Sequence, residues 1–303
     1  MRNVLVFAAV LALAGPAAWF GGQPGGPPRV TVLPTATGPT YLIEDGAGRR
    51  VLVGGGDSNE ALQALSERVP PWDRRVDLLV LPPPFAAHLA GATEIVRRAE
   101  TRRVIELGGP GAKPPTRYDA WELATFDRGH VPERLWGDAR LPLAGGVSLD
   151  PVTPDAPDGV PVRLSGSAPR ATSGGASTAS RAKPTGATAS EANAAPGAYL
   201  RLTNGRVSVL LALGTPGDTL PGFARLREPT FLVAPTAPAL PDLAAAVQPH
   251  ALLALADAKD ADPTGLPAHT LTVPRGNAVV LSLYGDAVRV EGVPNLPAWA
   301  AGK

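Results

Sequence analysis

Histidine is the residue type in this chain best suited to metal or acid–base chemistry, and the sequence has four: His88, His130, His250 and His269. None lies two or four positions from another, the spacings at which a strand or helix presents two ligands to one ion. The chain also has no cysteine. The sequence therefore excludes disulfides, zinc ribbons and thiol nucleophiles.

Other patterns that could do chemistry have simpler structural interpretations. Gly54-Gly55-Gly56 before a helix could cradle a phosphate, but Asp57 would repel an anion there, so we favour a tight turn. Four arginines near one predicted helix end could contact a nucleic-acid backbone, although a solvated helix end is the preferred interpretation: Arg97, Arg98, Arg102 and Arg103. No Gly-x-Ser-x-Gly motif supports a serine nucleophile.

His88 ends a proline-rich loop that follows an apolar stretch. Residues 76–81 predict a strand covered on both faces. Pro82-Pro83-Pro84 ends it, because proline lacks the N–H that a sheet needs. The end of such a strand is a common place for ligands. Residues 82–88 therefore have the position of an active-site loop, but apart from His88 they lack side chains suited to catalysis or metal binding. His88 is either a leftover metal ligand or, as we prefer, a helix N-terminal residue with local hydrogen bonds.

The composition allows a substantial core and indicates many turns. The chain has 303 residues, of which 44% are hydrophobic, with 34 glycines and 35 prolines. The net charge of +1 gives no global attraction to nucleic acid or to anionic lipid.

Residues 4–20 form an uncharged run rich in Ala, Leu and Val, preceded by Arg2. The run is at the short limit for a membrane-spanning helix. We expect residues 1–20 to anchor the chain in the cell membrane, with a cleaved signal segment as the alternative, and residues 21–28 to be a spacer. The positive end would stay cytoplasmic and place the remainder outside the cytoplasm.

Alternating strands and helices predict a layered α/β fold. In the first half we expect strands at 29–33, 40–44, 50–53, 76–81 and 103–107, helices at 58–69, 90–101 and 118–127, and two or three strands up to 152. Asp57 and Glu60 have the spacing of a capping box for the first helix. In the second half we expect strands at 199–202, 206–213, 230–234, 251–255, 269–273, 278–283 and 287–290, and a helix at 241–247. Glycine-containing turns predict hairpins at 203–205, 275–277 and 284–286.

A low-complexity tract interrupts this alternation. Residues 165–198 contain no Val, Ile, Leu, Met or aromatic residue. Such a segment cannot bury enough apolar surface to offset its conformational entropy. We therefore predict a disordered segment over residues 155–198, either as an interdomain linker or as an insertion within one domain.

The local sequences, taken in order, resemble the metallo-β-lactamase fold, and more narrowly the soluble C-terminal domain of ComEC-type DNA-uptake proteins. The resemblance is carried by residues 30–33, 41–44, 50–56, 69–81, 200–202, 207–211 and 244–249. It implies a four-layered αββα sandwich over residues 29–294, in which two similar halves face each other across a metal cleft. Residues 295–303 would be a tail.

The metal ligands that the resemblance implies are nearly all missing. The family's His-x-His-x-Asp-His motif falls on Pro83, Phe85, Ala87 and His88, of which only His88 matches. The aspartate after the third strand is replaced by Gly54, and the bridging aspartate of the second half by Gly214. The family's other acidic and histidine positions fall on Pro34, Pro39 and Pro235-Thr236, and the histidine-rich segment that precedes the family's last strands is missing from the region 256–267.

A catalytic zinc needs about three protein ligands, so we predict no metal, no catalytic residue and no small-molecule cofactor. Phe85, at a former ligand position, suggests a cleft partly filled by apolar side chains. The expected function is a catalytically inactive binding or scaffold protein at the cell envelope, linked by resemblance to DNA uptake, with DNA or an envelope protein as partner. Two alternatives are a metal-dependent phosphodiester hydrolase with a rebuilt metal site, and a passive stalked domain whose insertion, residues 165–198, binds cell-wall material or a partner.

Overall fold

The computed structural model describes residues 25–33, 35, 39–57, 59–69, 72–83, 85–108, 114–135, 139–152, 199–214, 230–256, 265–274, 277–293 and 296. The predicted anchor at 4–20 and the predicted insertion at 155–198 lie outside these residues. Among the helices that are described, none has both the length and the apolar character needed to cross a membrane.

Two mixed sheets form the centre of the molecule. The strands of the first sheet are β1 (Arg29–Leu33), β2 (Thr40–Glu44), β3 (Arg50–Val53), β5 (Leu78–Leu81), β7 (Val104–Leu107), β8 (Glu133–Leu135), β16 (Val279–Leu283) and β17 (Val288–Glu291). Their order across the sheet is β17-β16-β1-β2-β3-β5-β7-β8, with β3, β5, β7 and β8 parallel. A separate two-stranded sheet pairs β4 (Arg75–Val76) with β6 (Glu100–Thr101).

The second sheet contains β9 (Leu141–Pro142), β10 (Val147–Val152), β11 (Tyr199–Asn204), β12 (Val207–Ala212), β13 (Phe231–Pro235), β14 (Ala251–Ala256) and β15 (Thr270–Pro274). Its order is β15-β14-β13-β12-β11-β10-β9, and β12 to β15 are parallel. Val152 pairs directly with Tyr199. Residues 153–198 therefore connect neighbouring strands of one sheet.

The helices cover the outer faces of both sheets. Helices α1 (Glu60–Ser66), α2 (Leu89–Arg98) and α3 (Tyr118–Asp127) share a core with the first sheet, and α4 (Leu240–Val247) shares one with the second. A third core lies between the sheets. The layer order is thus α/β/β/α, as predicted, and it is consistent with the metallo-β-lactamase fold.

The apolar run of β5 is explained by its position between two cores. Val80 faces the second sheet, whereas Leu79 and Leu81 face the helices. All four residues of the strand are buried. Because strand side chains alternate between faces, a strand covered on both sides has to be apolar at every position.

Polar contacts and backbone geometry shift several predicted boundaries. Helix α1 is shorter than the predicted 58–69, and the predicted capping box is wrong because Asn59 is the N-cap, without a side-chain cap bond. The predicted strand 76–81 is interrupted at Asp77, whose N–H and carboxylate both bond to the backbone of Arg50, at 2.9 Å each. Helix α2 ends at Arg98 because Ala99 is extended, with ψ 155°, and residues 100–101 form β6 instead.

Two of the three predicted hairpins are confirmed and one is wrong. Asn204 pairs with Val207 across the turn between β11 and β12, and β16 pairs antiparallel with β17. By contrast, the segment 275–277 connects β15 of the second sheet to β16 of the first. A glycine turn between apolar runs indicates a reversal of the chain, but it does not say whether the next strand stays in the same sheet.

Candidate functional site

The candidate site lies where β3, β5 and β12 end, and we call it the strand-end edge, defined by Gly54, residues 82–83 and 85–88, and residues 213–214. After β5 the chain enters a short 3-10 turn over Phe85–Ala87. The N–H of His88 donates to Phe85 at 2.9 Å, and the carbonyl of His88 accepts from Ala92 at 2.9 Å. His88 is therefore fixed at the N-cap of α2, as the preferred interpretation of this residue expected.

The imidazole of His88 reaches across to the other half of the molecule. It is fully buried, and its Nε2 lies 3.3 Å from the carbonyl oxygen of Leu213, at the end of β12. A carbonyl only accepts, so Nε2 carries the proton and Nδ1 is left with a lone pair and no hydrogen-bond partner. Burial lowers the pKa of His88 to about 4, against an opposing effect of the Leu213 hydrogen bond.

Gly54 lies directly against this histidine. Its φ is +87°, a left-handed backbone conformation that residues other than glycine rarely adopt. A Cβ at this position would be 3.1 Å from both Nδ1 of His88 and the carbonyl oxygen of Pro39. The aspartate that the family resemblance would place here does not fit beside His88 in this conformation.

The next two glycines form a tight turn against α2. The N–H of Gly91 donates to the carbonyl of Gly56 at 3.2 Å. A Cβ on Gly91 would overlap the carbonyl oxygen of Gly55. The first turn of the helix is thus covered by the chain itself, which supports the tight-turn interpretation over a phosphate cradle.

Tyr41 makes a second polar connection between the halves. Its hydroxyl donates to the carbonyl of Ala212 at 2.7 Å, and burial raises the pKa of Tyr41 above its ordinary value. The carbonyls of two successive residues, Ala212 and Leu213, therefore accept from side chains of the first half, immediately before Gly214.

Four of the other predicted ligand positions, Pro83, Phe85, Ala87 and Gly214, have no side-chain group that could bind a metal. Phe85 is buried and packs in the outer core beneath the helices, with its ring centroid 6.3 Å from that of Tyr118. This differs from the predicted filling of the cleft between the sheets. Pro83, Ala87 and Gly214 are partly buried. Pro34 lies outside the described residues.

The side chains of this edge do not fit a zinc or two-metal site. Within the described part of the chain, no three His, Asp or Glu residues cluster in a way that could hold a metal ion. At the strand-end edge the donor set consists of one imidazole beside proline, alanine and glycine, whereas a catalytic zinc requires about three protein ligands.

A buried carboxylate next to this edge was missed by sequence reasoning. Glu106 on β7 is 1% exposed and accepts from Tyr118 at 2.9 Å, Trp121 at 2.7 Å and Arg134 at 3.2 Å. Burial and the Glu106 charge raise the pKa of Tyr118 to about 12. The carboxylate joins β7, α3 and β8. A glutamate within the apolar strand Val104–Leu107 was the available signal.

The arginines near the end of α2 are bound mainly to carboxylates. Arg98 lies 2.9 Å from Glu94, and Arg102 lies 3.3 Å from Asp77. Arg103 donates two hydrogen bonds to the carboxylate of Glu133 in a bidentate ion pair. Arg97 also contacts Glu94. These exposed pairs support the solvated interpretation, in which no unbalanced cationic stripe faces a nucleic acid.

Comparison with known proteins gives only distant structural similarity. No protein-family model and no curated protein matches the sequence. The structure is similar to "a New Diphosphatase from the PhnP Family", with 14% identity, a TM-score of 0.49, and coverage of 84% of this chain and 98% of that one. It is also similar to Zn²⁺-bound PqqB from Methylobacterium extorquens, with 12% identity, a TM-score of 0.39, and coverage of 68% and 70%. Similarity at this level does not indicate what this chain does.

Proposed function

We propose that this chain is a non-catalytic scaffold or binding protein with an αββα sandwich. The observation that carries the proposal is the state of His88. The one motif histidine is buried and bonded to the Leu213 carbonyl, with Gly54 in close contact on its other side. The polar groups at the strand-end edge thus hold the two halves together.

The proposed location is the cell envelope, with the domain outside the cytoplasm. The apolar run 4–20 after Arg2 supports an anchor. The resemblance to ComEC-type proteins supports DNA uptake as the context, with DNA or an envelope protein as partner. This context is an analogy between folds, and function is decided by sites.

The alternative, a metal-dependent phosphodiester hydrolase, has one observation in its favour. Nδ1 of His88 is a buried nitrogen with a lone pair and no hydrogen-bond partner. A hydrolytic site would still need at least two further ligands. Metal analysis with matched variants separates the two proposals.

The test uses the purified full chain, dialysed against Zn²⁺ or Mn²⁺ alone and analysed for bound metal. We expect substoichiometric metal and no hydrolysis of bis(p-nitrophenyl) phosphate, with H88Q indistinguishable from the unchanged chain. The control is H250Q, which alters an exposed histidine away from this edge. Stoichiometric metal that is lost in H88Q but kept in H250Q would overturn the non-catalytic proposal.

The DNA version of the scaffold proposal has its own test. Filter binding of the full chain to duplex DNA at two salt concentrations should show affinity that falls as salt rises, because phosphate contacts release counterions. Equal retention at both concentrations, at the level of a protein-free filter, would leave an envelope protein as the remaining partner class.

A further inference from the structure

The chain enters the described domain at the end opposite the strand-end edge. Gly25 and Pro28 bond to Gly46 and Leu283, beside the first residue of β1. Because β1 and β2 are antiparallel and Arg29 pairs with Glu44, this end also holds the starts of β3, β5, β7 and β8. We call it the strand-start pole.

Exposed large apolar side chains concentrate at this pole. Trp72, just before β4, is 76% exposed, and Val131, just before β8, is 86% exposed. Phe126, in the last turn of α3, is 77% exposed, and Tyr284, in the turn after β16, is 42% exposed. These residues come from four separate segments of the chain, yet the topology brings them to the end at which residues 1–24 join the domain.

Only a short segment of chain separates the strand-start pole from the apolar run at 4–20. Four residues, 21–24, separate residue 20 from Gly25. Since an extended chain spans at most about 3.3–3.6 Å per residue, the pole lies within roughly 18 Å of the end of the run. An anchor at 4–20 would therefore hold this surface, and not the strand-end edge, next to the bilayer.

The charge pattern of the pole favours apolar insertion into lipid over electrostatic attraction to anionic headgroups. Arg98, Arg102 and Arg103 are about half exposed, but each is also paired with a carboxylate. Exposed pairs of this kind contribute little net attraction. Trp and Tyr, by contrast, prefer the headgroup level of a membrane, where one end of the ring is apolar and the other wet.

We propose that the strand-start pole, formed by Trp72, Phe126, Val131 and Tyr284, rests in the headgroup region of a lipid bilayer. This orientation points the strand-end edge with His88 away from the membrane. The contact depends on apolar insertion, so it forms on zwitterionic phosphatidylcholine as well as on anionic lipid. The inference rests on the proposed anchoring by residues 4–20.

The test exploits the absence of native cysteine. The full chain is reconstituted in phosphatidylcholine vesicles with a nitroxide label attached through V131C at the pole or through T116C, an exposed position near the opposite end. A lipid bearing a nickel-chelated headgroup then reports proximity to the bilayer. We expect relaxation of the 131 label to be several-fold stronger than that of the 116 label.

A second variant keeps the anchor and removes the contact. In the V131C background, W72S/F126S alters two exposed side chains and should reduce relaxation at 131 to the level at 116, while the protein still floats with the vesicles. Equal relaxation of both labels in a chain that floats would overturn the docking proposal and leave the anchor intact. A chain that does not float would overturn the proposed anchoring and, with it, the docking. If the 131 labels show spin–spin broadening that disappears when the protein is diluted in the bilayer, a second copy covers the pole and lipid docking is wrong.

Discussion

At the scale of single residues, His88 is held neutral by its surroundings. Its folded pKa of about 4 lies below the ordinary value of 6.5, because the buried ring cannot be solvated when charged. The unfolded chain therefore binds more protons between these two values. This contribution to stability is complete above pH 6.5, is lost as pH falls from 6.5 toward 4, and is constant below that.

The first prediction is that the free energy of unfolding falls by about 2 kcal/mol between pH 7.5 and pH 5 through His88 alone, since one pKa unit corresponds to about 1.4 kcal/mol. Urea unfolding at both pH values measures it. H88Q should lose this pH-dependent component, whatever its stability at pH 7.5. H250Q should keep it. An H88Q variant with the same pH dependence as the unchanged chain would contradict the prediction.

Gly54 and His88 form a coupled pair. G54A should lower the free energy of unfolding by about 2–3 kcal/mol, because a left-handed residue with a Cβ costs about 1–2 kcal/mol and the Cβ is crowded by Nδ1 of His88. The matched control is G129A, where φ is +72° but a Cβ meets nothing within 4 Å. In an H88A background the cost of G54A should fall toward that of G129A, and the part that remains reflects the contact with the carbonyl oxygen of Pro39. A double-mutant cycle with no coupling would show that the crowding is relieved elsewhere.

At the scale of elements, the sequence predicts where strands lie better than it predicts their first and last residues or the strands they pair with. The apolar run of β5 and the Asn204-Gly205 hairpin follow from local rules of burial and turn geometry. The break at Asp77 depends on Arg50, and residues 100–101 form a strand because they meet Arg75 and Val76. Such contacts join distant parts of the chain, so a reading of neighbouring residues does not find them.

The close contact between α2 and the glycine turn gives the third prediction. G91A should lower the free energy of unfolding by about 3 kcal/mol or more, because its Cβ overlaps the backbone carbonyl of Gly55 and backbone cannot move aside as a flexible side chain can. G285A, where a Cβ meets nothing within 4 Å, is the control. Thermal unfolding followed by circular dichroism measures both. Equal midpoints for the two variants would mean that α2 shifts without cost.

At the scale of the whole molecule, the two halves are joined by a few polar contacts around an apolar centre. Tyr41 and His88 bond to the end of β12, and Asp45 accepts from Ala144 at 2.9 Å at the other end. The sequence could show which ligands were missing from the strand-end edge, because proline, glycine and alanine have no donor atoms to offer. It could not show that His88 would join the halves, because Leu213 contributes only a backbone carbonyl, which every residue has.

The tract between β10 and β11 provides the last prediction. Since Val152 and Tyr199 are directly paired across an antiparallel ladder, a two-residue Asn-Gly turn should replace residues 153–198 with the fold intact. Closing a much shorter loop should raise the free energy of unfolding by about 3 kcal/mol, as measured by urea denaturation. The control has the same turn but also lacks Tyr199, which shifts the register by one residue and directs the apolar side chains of β11 to the wrong face. This control variant should show no cooperative unfolding transition in urea. If both shortened chains behave alike, the pairing of β10 with β11 is not what holds this part of the sheet.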